Sequence, residues 1–330
     1  METIKLGTIG SGMIARAILK SAALTEGIAL EAVYSRSEEK GRALAREFGC
    51  EKRYTDLNVF LRDGEINTVY IASPNLLHYP QAKAALLAGK NVICEKPFVT
   101  RLAEAGELRT LAAARGLYLI EAAPTAYLPN YAILRREMPK IGRVRLVLSN
   151  YSQYSSRYDR LLKGEKPNVF NPAFAGGALM DINFYNILLN VLLFGSPKTA
   201  SYHANRFGDL ADTSGVAILD YGDFVSTNAG AKDTWGVNFF QIEGEEGFLY
   251  IEDGSNGLKS VRIVTRETDE TYNDQPDPNR WHYEVRELTR RLLAEDRPFF
   301  EARLDTTLET VALMEKLRLT AGLRFPRDEE

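Results

Sequence analysis

Residues 7–15 read GTIGSGMIA, and this stretch decides how the first third of the chain is expected to fold. An apolar run, IKLGTI (4–9), ends where Gly10 opens a G-x-G-x-x-A pattern completed by Gly12 and Ala15. The first glycine of such a pattern permits a tight turn, the second lets the backbone approach a pyrophosphate, and the small third residue lets the next helix sit close to the strand. Ser11, Met13 and Ile14 occupy the turn and the helix start, where free backbone N–H groups attract anions. The pattern is weak alone, but it directly follows a strand and opens a helix, which is the context it needs.

The alternation continues outward from this turn. Further strand candidates are ALEAVY (29–34), TVYIA (68–72), NVIC (91–94) and LYLIEAA (117–123). Between them lie helical segments with readable ends: Ser37 is a candidate N-cap, and Gly49, Gly89 and Gly116 suit the left-handed position after a helix. Apolar runs alternating with amphipathic helices predict a doubly wound parallel sheet over residues 1–125. Ligands of such sheets bind outside the carboxyl ends of the strands. The segments after residues 9, 34, 72 and 94 therefore matter most.

From RVRLVLSNYSQYSSRY (143–158) onward the pattern changes. SGVAILDYG, DFVSTNAGA, VNFFQIEG, GFLYIED and SVRIVTRE follow one another without crossover helices, which predicts an α+β domain with a largely antiparallel sheet over residues 126–330. One apolar helix, ALMDINFYNILLNVLLFG, interrupts it, and a helical tail runs from Trp281 to Ala321. The last part of that tail, DTTLETVALMEKLRLTAG, is expected to pack back on one of the two domains, the first included.

Composition excludes several classes of function. Lysine and arginine total 41 against 44 aspartates and glutamates, a net charge of -3, so no general field attracts nucleic acid or an anionic membrane. Cys50 and Cys94 are the only cysteines, too few for a disulfide framework and without zinc or redox spacing. No metal site is expected. The chain enters a strand without a secretory leader, and no apolar run is expected to reach the 18 or so residues of a membrane span. A cytoplasmic protein acting on a small molecule is the expectation.

The second strand end bears on cofactor choice. An acidic residue about 20 positions after the glycine motif holds the ribose 2′-hydroxyl of NAD, but this chain has Ser35, Arg36 and Ser37 there. A hydroxyl and a guanidinium suit a 2′-phosphate, so NADP(H) is favoured over NAD(H). Arg36 stacking on adenine would suit either cofactor. The third strand end, IASPNLLHYP, offers Ser73, Pro74 and Asn75 as backbone passing close to a nucleotide. His78 there either faces the cofactor or supports the turn.

An N-terminal G-x-G-x-x-A, then SPNLLH, then EKP (95–97), then GGALMDINFY, in that order, resemble the glucose-fructose oxidoreductase and inositol dehydrogenase family, Gfo/Idh/MocA. The resemblance spans nearly the whole chain, to the RFPRDEE tail. It implies a Rossmann domain followed by an open-faced sheet domain. It also implies hydride transfer between a nicotinamide and a sugar, polyol, cyclitol or related cyclic alcohol or carbonyl compound, and pairing of the open sheets in a homodimer or higher homo-oligomer.

The resemblance also assigns roles. Alcohol oxidation removes a hydride from carbon and a proton from oxygen, and Lys96 at a strand's carboxyl end supplies positive charge or the proton. Glu95 is implied to bind near the nicotinamide ribose, and the Lys96–Pro97 bond to be cis. Without the other motifs, Glu95 and Lys96 read as a solvated ion pair. Asp181 and Tyr185, four apart, share one helix face. Many relatives have histidine where this chain has Tyr185. A lysine cation near the phenol favours its phenolate, so Lys96 and Tyr185 are expected to handle the proton, with Asp181 orienting Lys96 or a substrate hydroxyl. Asn183 stands where the family pattern often has glycine, which questions the local backbone fit. The alternative has Tyr185 as a core aromatic and Asp181 as a cap.

Substrate recognition is least defined. Tyr154 and Arg157, with Tyr151 and Tyr158, either line a polyol pocket or form an exposed sheet face or subunit contact. Asn171, in VFNPAFAGG, precedes the apolar helix and is a further candidate for the substrate side. Two other functions fit the same scaffold, a glycosidase using tightly held NAD and a non-catalytic NAD(P)-sensing regulator. Lys96, Asp181 and Tyr185 together argue against the regulator, which needs no proton-transfer set.

Overall fold

Short aliphatic runs become strands wherever both of their faces can be covered. The computed structural model describes residues 2–329 and divides into two units, one of residues up to Pro124 with Asn279–Leu308, the other of Thr125–Pro278 with Glu309 onward.

In the first unit β1 (Ile4–Ile9), β2 (Ile28–Tyr34), β3 (Lys52–Tyr54), β4 (Thr68–Ile71), β5 (Asn91–Glu95) and β6 (Leu119–Ala122) form a six-stranded sheet in the order β3-β2-β1-β4-β5-β6. Every neighbouring pair is parallel. All residues of β4, β5 and β6 are buried, which explains their largely apolar character. β3 was not expected from the sequence, because KRY is short and polar. The crossovers contain α1 (Met13–Ala22), α2 (Glu38–Glu47), α3 (Leu57–Leu61), α4 (His78–Leu87) and α5 (Leu102–Arg115). The order reverses between β1 and β4, so the ligand crevice of this topology lies at their carboxyl ends.

The second unit contains α6 (Pro129–Glu137), β7 (Val144–Ser152), α7 (Ser156–Leu162), α8 (Phe184–Phe194), β8 (Thr199–Arg206), β9 (Asp212–Asp220), β10 (Val225–Ala231), β11 (Phe239–Gly244), β12 (Gly247–Glu252), α9 (Gly254–Gly257), β13 (Ser260–Thr265) and β14 (Asp269–Tyr272). Its eight strands run β14-β13-β12-β11-β7-β10-β9-β8. β7 and β10 are parallel and the other pairs antiparallel. The edge strands β8 and β14 were not expected, being largely polar and exposed, as edges often are. Val216, Ile218 and Val225 are exposed on β9 and β10, while Phe240, Ile242, Leu249, Ile251, Val261 and Ile263 are fully buried at alternate positions.

α10 (Arg280–Leu293) belongs to the first unit, where it packs on α1 and β1. α11 (Arg297–Thr320) begins in the first unit and ends in the second.

One sequence expectation needs correction. The run Pro172–Phe194 is long and apolar enough by composition to cross a membrane, but 78% of the tested window is buried inside the protein. It is a core helix, mostly apolar because packed residues surround it.

Candidate active site

β1 delivers the chain to Gly10, whose φ is +112°, and a Cβ at this position would stand 2.5 Å from the Ala72 carbonyl oxygen. Only glycine fits such a positive φ and so close a backbone. Nothing lies within 4 Å of a Cβ built on Gly12. Gly12 begins α1 without a side-chain cap, so the helix N-terminus keeps N–H groups for an anion. Met13 is 72% exposed beside them, Ile14 half-buried, and Ala15 fully buried against the sheet. The cradle fits a dinucleotide pyrophosphate.

Ser11 and Ser35 meet across this edge, their hydroxyl oxygens 3.3 Å apart, and Ser35 Oγ accepts from the Ser37 N–H. Arg36 is exposed beside them. After β4, Ser73 Oγ donates to Gln81 Oε1 at 2.6 Å, and Pro74 precedes a 3-10 turn over Asn75–Leu77. His78 is buried, with Nδ1 3.0 Å from the Pro97 oxygen and 3.2 Å from that of Phe98, and Nε2 2.9 Å from the Ser73 oxygen. Burial lowers its pKa, the three carbonyls oppose that, and the Lys96 charge adds to it. Of the two roles open to His78, this geometry fits the brace that ties the β4 and β5 ends together.

At the end of β5 the Lys96–Pro97 peptide is cis, as the resemblance implies. The turn is held from several sides: Glu121 Oε1 accepts from the Phe98 N–H at 3.1 Å, Glu121 Oε2 accepts from Thr307 Oγ1 at 2.9 Å, and Lys96 N–H donates to the Ala122 oxygen at 3.2 Å. Burial raises the Glu121 pKa to about 7, against the pull of these hydrogen bonds. Glu95 is buried and accepts from the Tyr70 hydroxyl. Burial raises its pKa, while Tyr70, Lys96 and Arg280 oppose the rise. Glu95 is thus no solvated ion-pair member. Lys96 is half-buried at the same carboxyl edge as Gly10 and Ser73.

In the second unit the apolar helix does not start as a simple α-helix. Leu179–Asn183, which holds Asp181, is a π-helical turn, and α8 follows with Tyr185 in its first turn. Such widened turns are frequent at functional sites. Asp212, at the start of β9, anchors it: its Oδ2 accepts from the Leu179 N–H at 2.7 Å and the Tyr202 hydroxyl at 2.6 Å. Burial raises its pKa to about 6. Gly177 is required here, since a Cβ would lie 2.1 Å from Asp212 Oδ1.

Asp181, with a side chain 35% exposed, forms an ion pair with Lys232, whose side chain is only 6% exposed. Lys232 follows β10 and is locked by backbone hydrogen bonds to Thr213 and Ser155. Neither Lys232 nor Asp212 stands out in the sequence, because neither belongs to a motif; a buried lysine is recognisable only after folding. Tyr185 is buried, edge-on to the Tyr151 ring at 5.9 Å. Asn183 fits where the family pattern often has glycine because Gly230 makes room: a Cβ on Gly230 would be 2.6 Å from that of Asn183, whose Nδ2 donates to the Asn228 oxygen at 3.0 Å.

Tyr154 stacks on the exposed Trp235 at 5.6 Å and 5° and donates to Asp159 at 2.7 Å. Arg157 is exposed in the first turn of α7, a helix where the sequence suggests a strand end. Asn171 Oδ1 accepts from the Ala173 N–H at 2.9 Å, capping a short 3-10 turn. Among the described residues, no group of three or more His, Cys, Asp or Glu side chains is arranged for a metal ion.

Comparison with known proteins adds independent findings. The Gfo/Idh/MocA model described as an oxidoreductase family with an NAD-binding Rossmann fold matches residues 4–122, and that of the family's C-terminal domain matches residues 137–250. The oxidoreductase YgjR of Escherichia coli strain K12 is 40% identical over 98% of both chains. The NADP(+)-dependent scyllo-inositol 2-dehydrogenase IolU of Bacillus subtilis strain 168 is 35% identical over 99% of both. The fold matches that of KijD10, a 3-ketoreductase of Actinomadura kijaniata, with a TM-score of 0.86, 21% identity, and coverage of 96% of this chain and 98% of that one.

Proposed function

Because the chain belongs to the Gfo/Idh/MocA oxidoreductase family, we propose that it is an NADP(H)-preferring dehydrogenase or reductase acting on the CH–OH group of a polyol, cyclitol or sugar. The observation that carries this reading is the shared carboxyl edge of β1, β4 and β5, where the Gly10–Gly12 cradle and Lys96 occur together. The nicotinamide, when bound, supplies the hydride acceptor or donor. The protein's own groups handle the rest.

Lys96 holds or transfers the proton of the reacting oxygen, with Tyr185 as the second proton-handling group. Asp181, oriented by its ion pair with Lys232, accepts a hydrogen bond from a substrate hydroxyl. Ser35 and Arg36, with no acidic residue at this strand end, support the preference for a 2′-phosphate. The likeness to the scyllo-inositol dehydrogenase supports a cyclitol among the substrates.

The test is an absorbance screen at 340 nm with NAD and NADP against sugars, polyols, inositols and dihydrodiols. Reduction of NADP with at least one ring polyol is the expected result. No cofactor turnover with any compound would remove the dehydrogenase reading and favour the glycosidase or regulator.

A further inference from the structure

The two members of the Asp181–Lys232 ion pair come from distant parts of the chain, and the start of β9 holds both. Asp212 is buried, and its Oδ2 accepts from the N–H of Leu179, which lies in the same π-helical turn as Asp181. The next residue, Thr213, accepts the Lys232 N–H at its carbonyl oxygen at 2.8 Å, and Ser214 Oγ donates to Asp233 Oδ2 at 3.0 Å. Consecutive residues of β9 thus grip the helix start on one side and the chain around Lys232 on the other.

Leu179 opens the π-helical turn, and its N-cap position, Ala178, makes no side-chain cap. The first N–H groups of a helix have no partner within it. A carboxylate from 33 positions away supplies the acceptor, with the charge that a helix N-terminus favours. Tyr202 donates to the same oxygen, and a Cβ on Gly177 would collide with the other one, so the carboxylate is fixed from both sides. On the cation's side, β10 ends at Ala231, paired with Ser214, and the bond from Lys232 to Thr213 extends that ladder by one residue.

We propose that Asp212 is a positioning residue: by holding the Leu179 N–H while its neighbour Thr213 holds Lys232, it sets where Asp181 meets its cation. The proposal deepens, and rests on, the reading of Asp181 as a group of the oxidoreductase site, but its main test needs no substrate. The Lys232 side chain is ion-paired and only 6% exposed, so it should react slowly with an amine-acetylating reagent. Lys90, also buried, donates to the Asp63 and Ile66 carbonyl oxygens in the first unit, and its labelling reports general loosening. Acetylation of the full chain at pH 8, read by peptide mass spectrometry, follows both lysines.

Asp212→Ala removes a charged hydrogen-bond acceptor and should raise the Lys232 labelling rate at least about fivefold, with Lys90 unchanged. Asp212→Asn keeps a carbonyl oxygen for the Leu179 N–H and should stay within about twofold of the wild type. Unchanged Lys232 labelling in a folded Asp212→Ala would overturn the proposal, as would equal gains at Lys232 and Lys90. If the alanine variant does not fold, Tyr202→Phe, which takes one donor from the same oxygen, decides: about twofold faster labelling of Lys232 alone supports the proposal and no change overturns it. In turnover, Asp212→Ala combined with Lys232→Met should lose no more than about twofold in kcat/KM beyond Lys232→Met alone, because substitutions that act through one pair do not add. Full additivity would overturn the proposal. Absence of turnover in the substrate screen counts against the oxidoreductase reading and does not alter the labelling result.

Discussion

Lys232, locked at the end of β10, forms an ion pair with Asp181 in the π-helical turn that leads into α8. The lysine is nearly buried and the carboxylate a third exposed, so the cation fixes a carboxylate that still reaches solvent. Lys232→Met should reduce kcat/KM with a ring polyol by about tenfold or more, equivalent to about 1.4 kcal/mol of transition-state stabilisation. Affinity for NADP+ should not change, and Lys232→Arg should recover part of the loss. Unaltered kinetics in a folded methionine variant would reduce the pair to a packing detail.

Lys96→Ala should leave dinucleotide binding largely intact and lower turnover by about 10²–10⁴-fold, the usual range for a lost general acid or base. Fluorescence titration and steady-state rates separate the two effects. A fully active variant would take the lysine out of the mechanism.

Arg36 is exposed beside the Ser11–Ser35 contact. Arg36→Ala should weaken NADP+ binding by about 10–100-fold, the value of one hydrogen bond to a charged group, and leave NAD+ almost unaffected. Equal losses for both cofactors would point to adenine stacking instead.

His78 braces Ser73, Pro97 and Phe98, so His78→Leu should cost about 1–3 kcal/mol by leaving buried carbonyls unpaired. Its depressed pKa means that its contribution is complete above about pH 6.5 and is lost as pH falls through the folded value. The stability gap between wild type and variant should therefore narrow under acid conditions. Melting curves from pH 5 to pH 8 check this, and a gap independent of pH would contradict it.

Arg318 is wholly buried and gripped by Asp328 through two hydrogen bonds of 2.5 and 2.6 Å, with the Phe325 ring 4.7 Å from its guanidinium. Asp328→Ala should destabilise the protein by about 3–5 kcal/mol, because the buried guanidinium would lose the carboxylate that holds it by two hydrogen bonds. A loss under about 1 kcal/mol in denaturant titration would mean that water reaches the arginine.

The sequence by itself determined the features that depend on near neighbours in the chain. Gly10, Gly12 and Ala15 specify their turn within six residues, and the apolar runs of β1, β4 and β5 specify buried parallel strands, because backbone conformation and side-chain period are local properties. Where the local signal was weak the elements escaped notice, as with β3, β8 and β14, whose polar residues lack an apolar period.

Only the tertiary structure decided which distant groups meet. Lys232 and Asp181 lie 51 positions apart, Thr307 and Glu121 lie 186 apart, and Asp212 and Leu179 lie 33 apart. No local pattern encodes these meetings. They follow from strand register and from the helix face turned inwards, and burial then gives ordinary lysines and glutamates the electrostatic environments that matter for function.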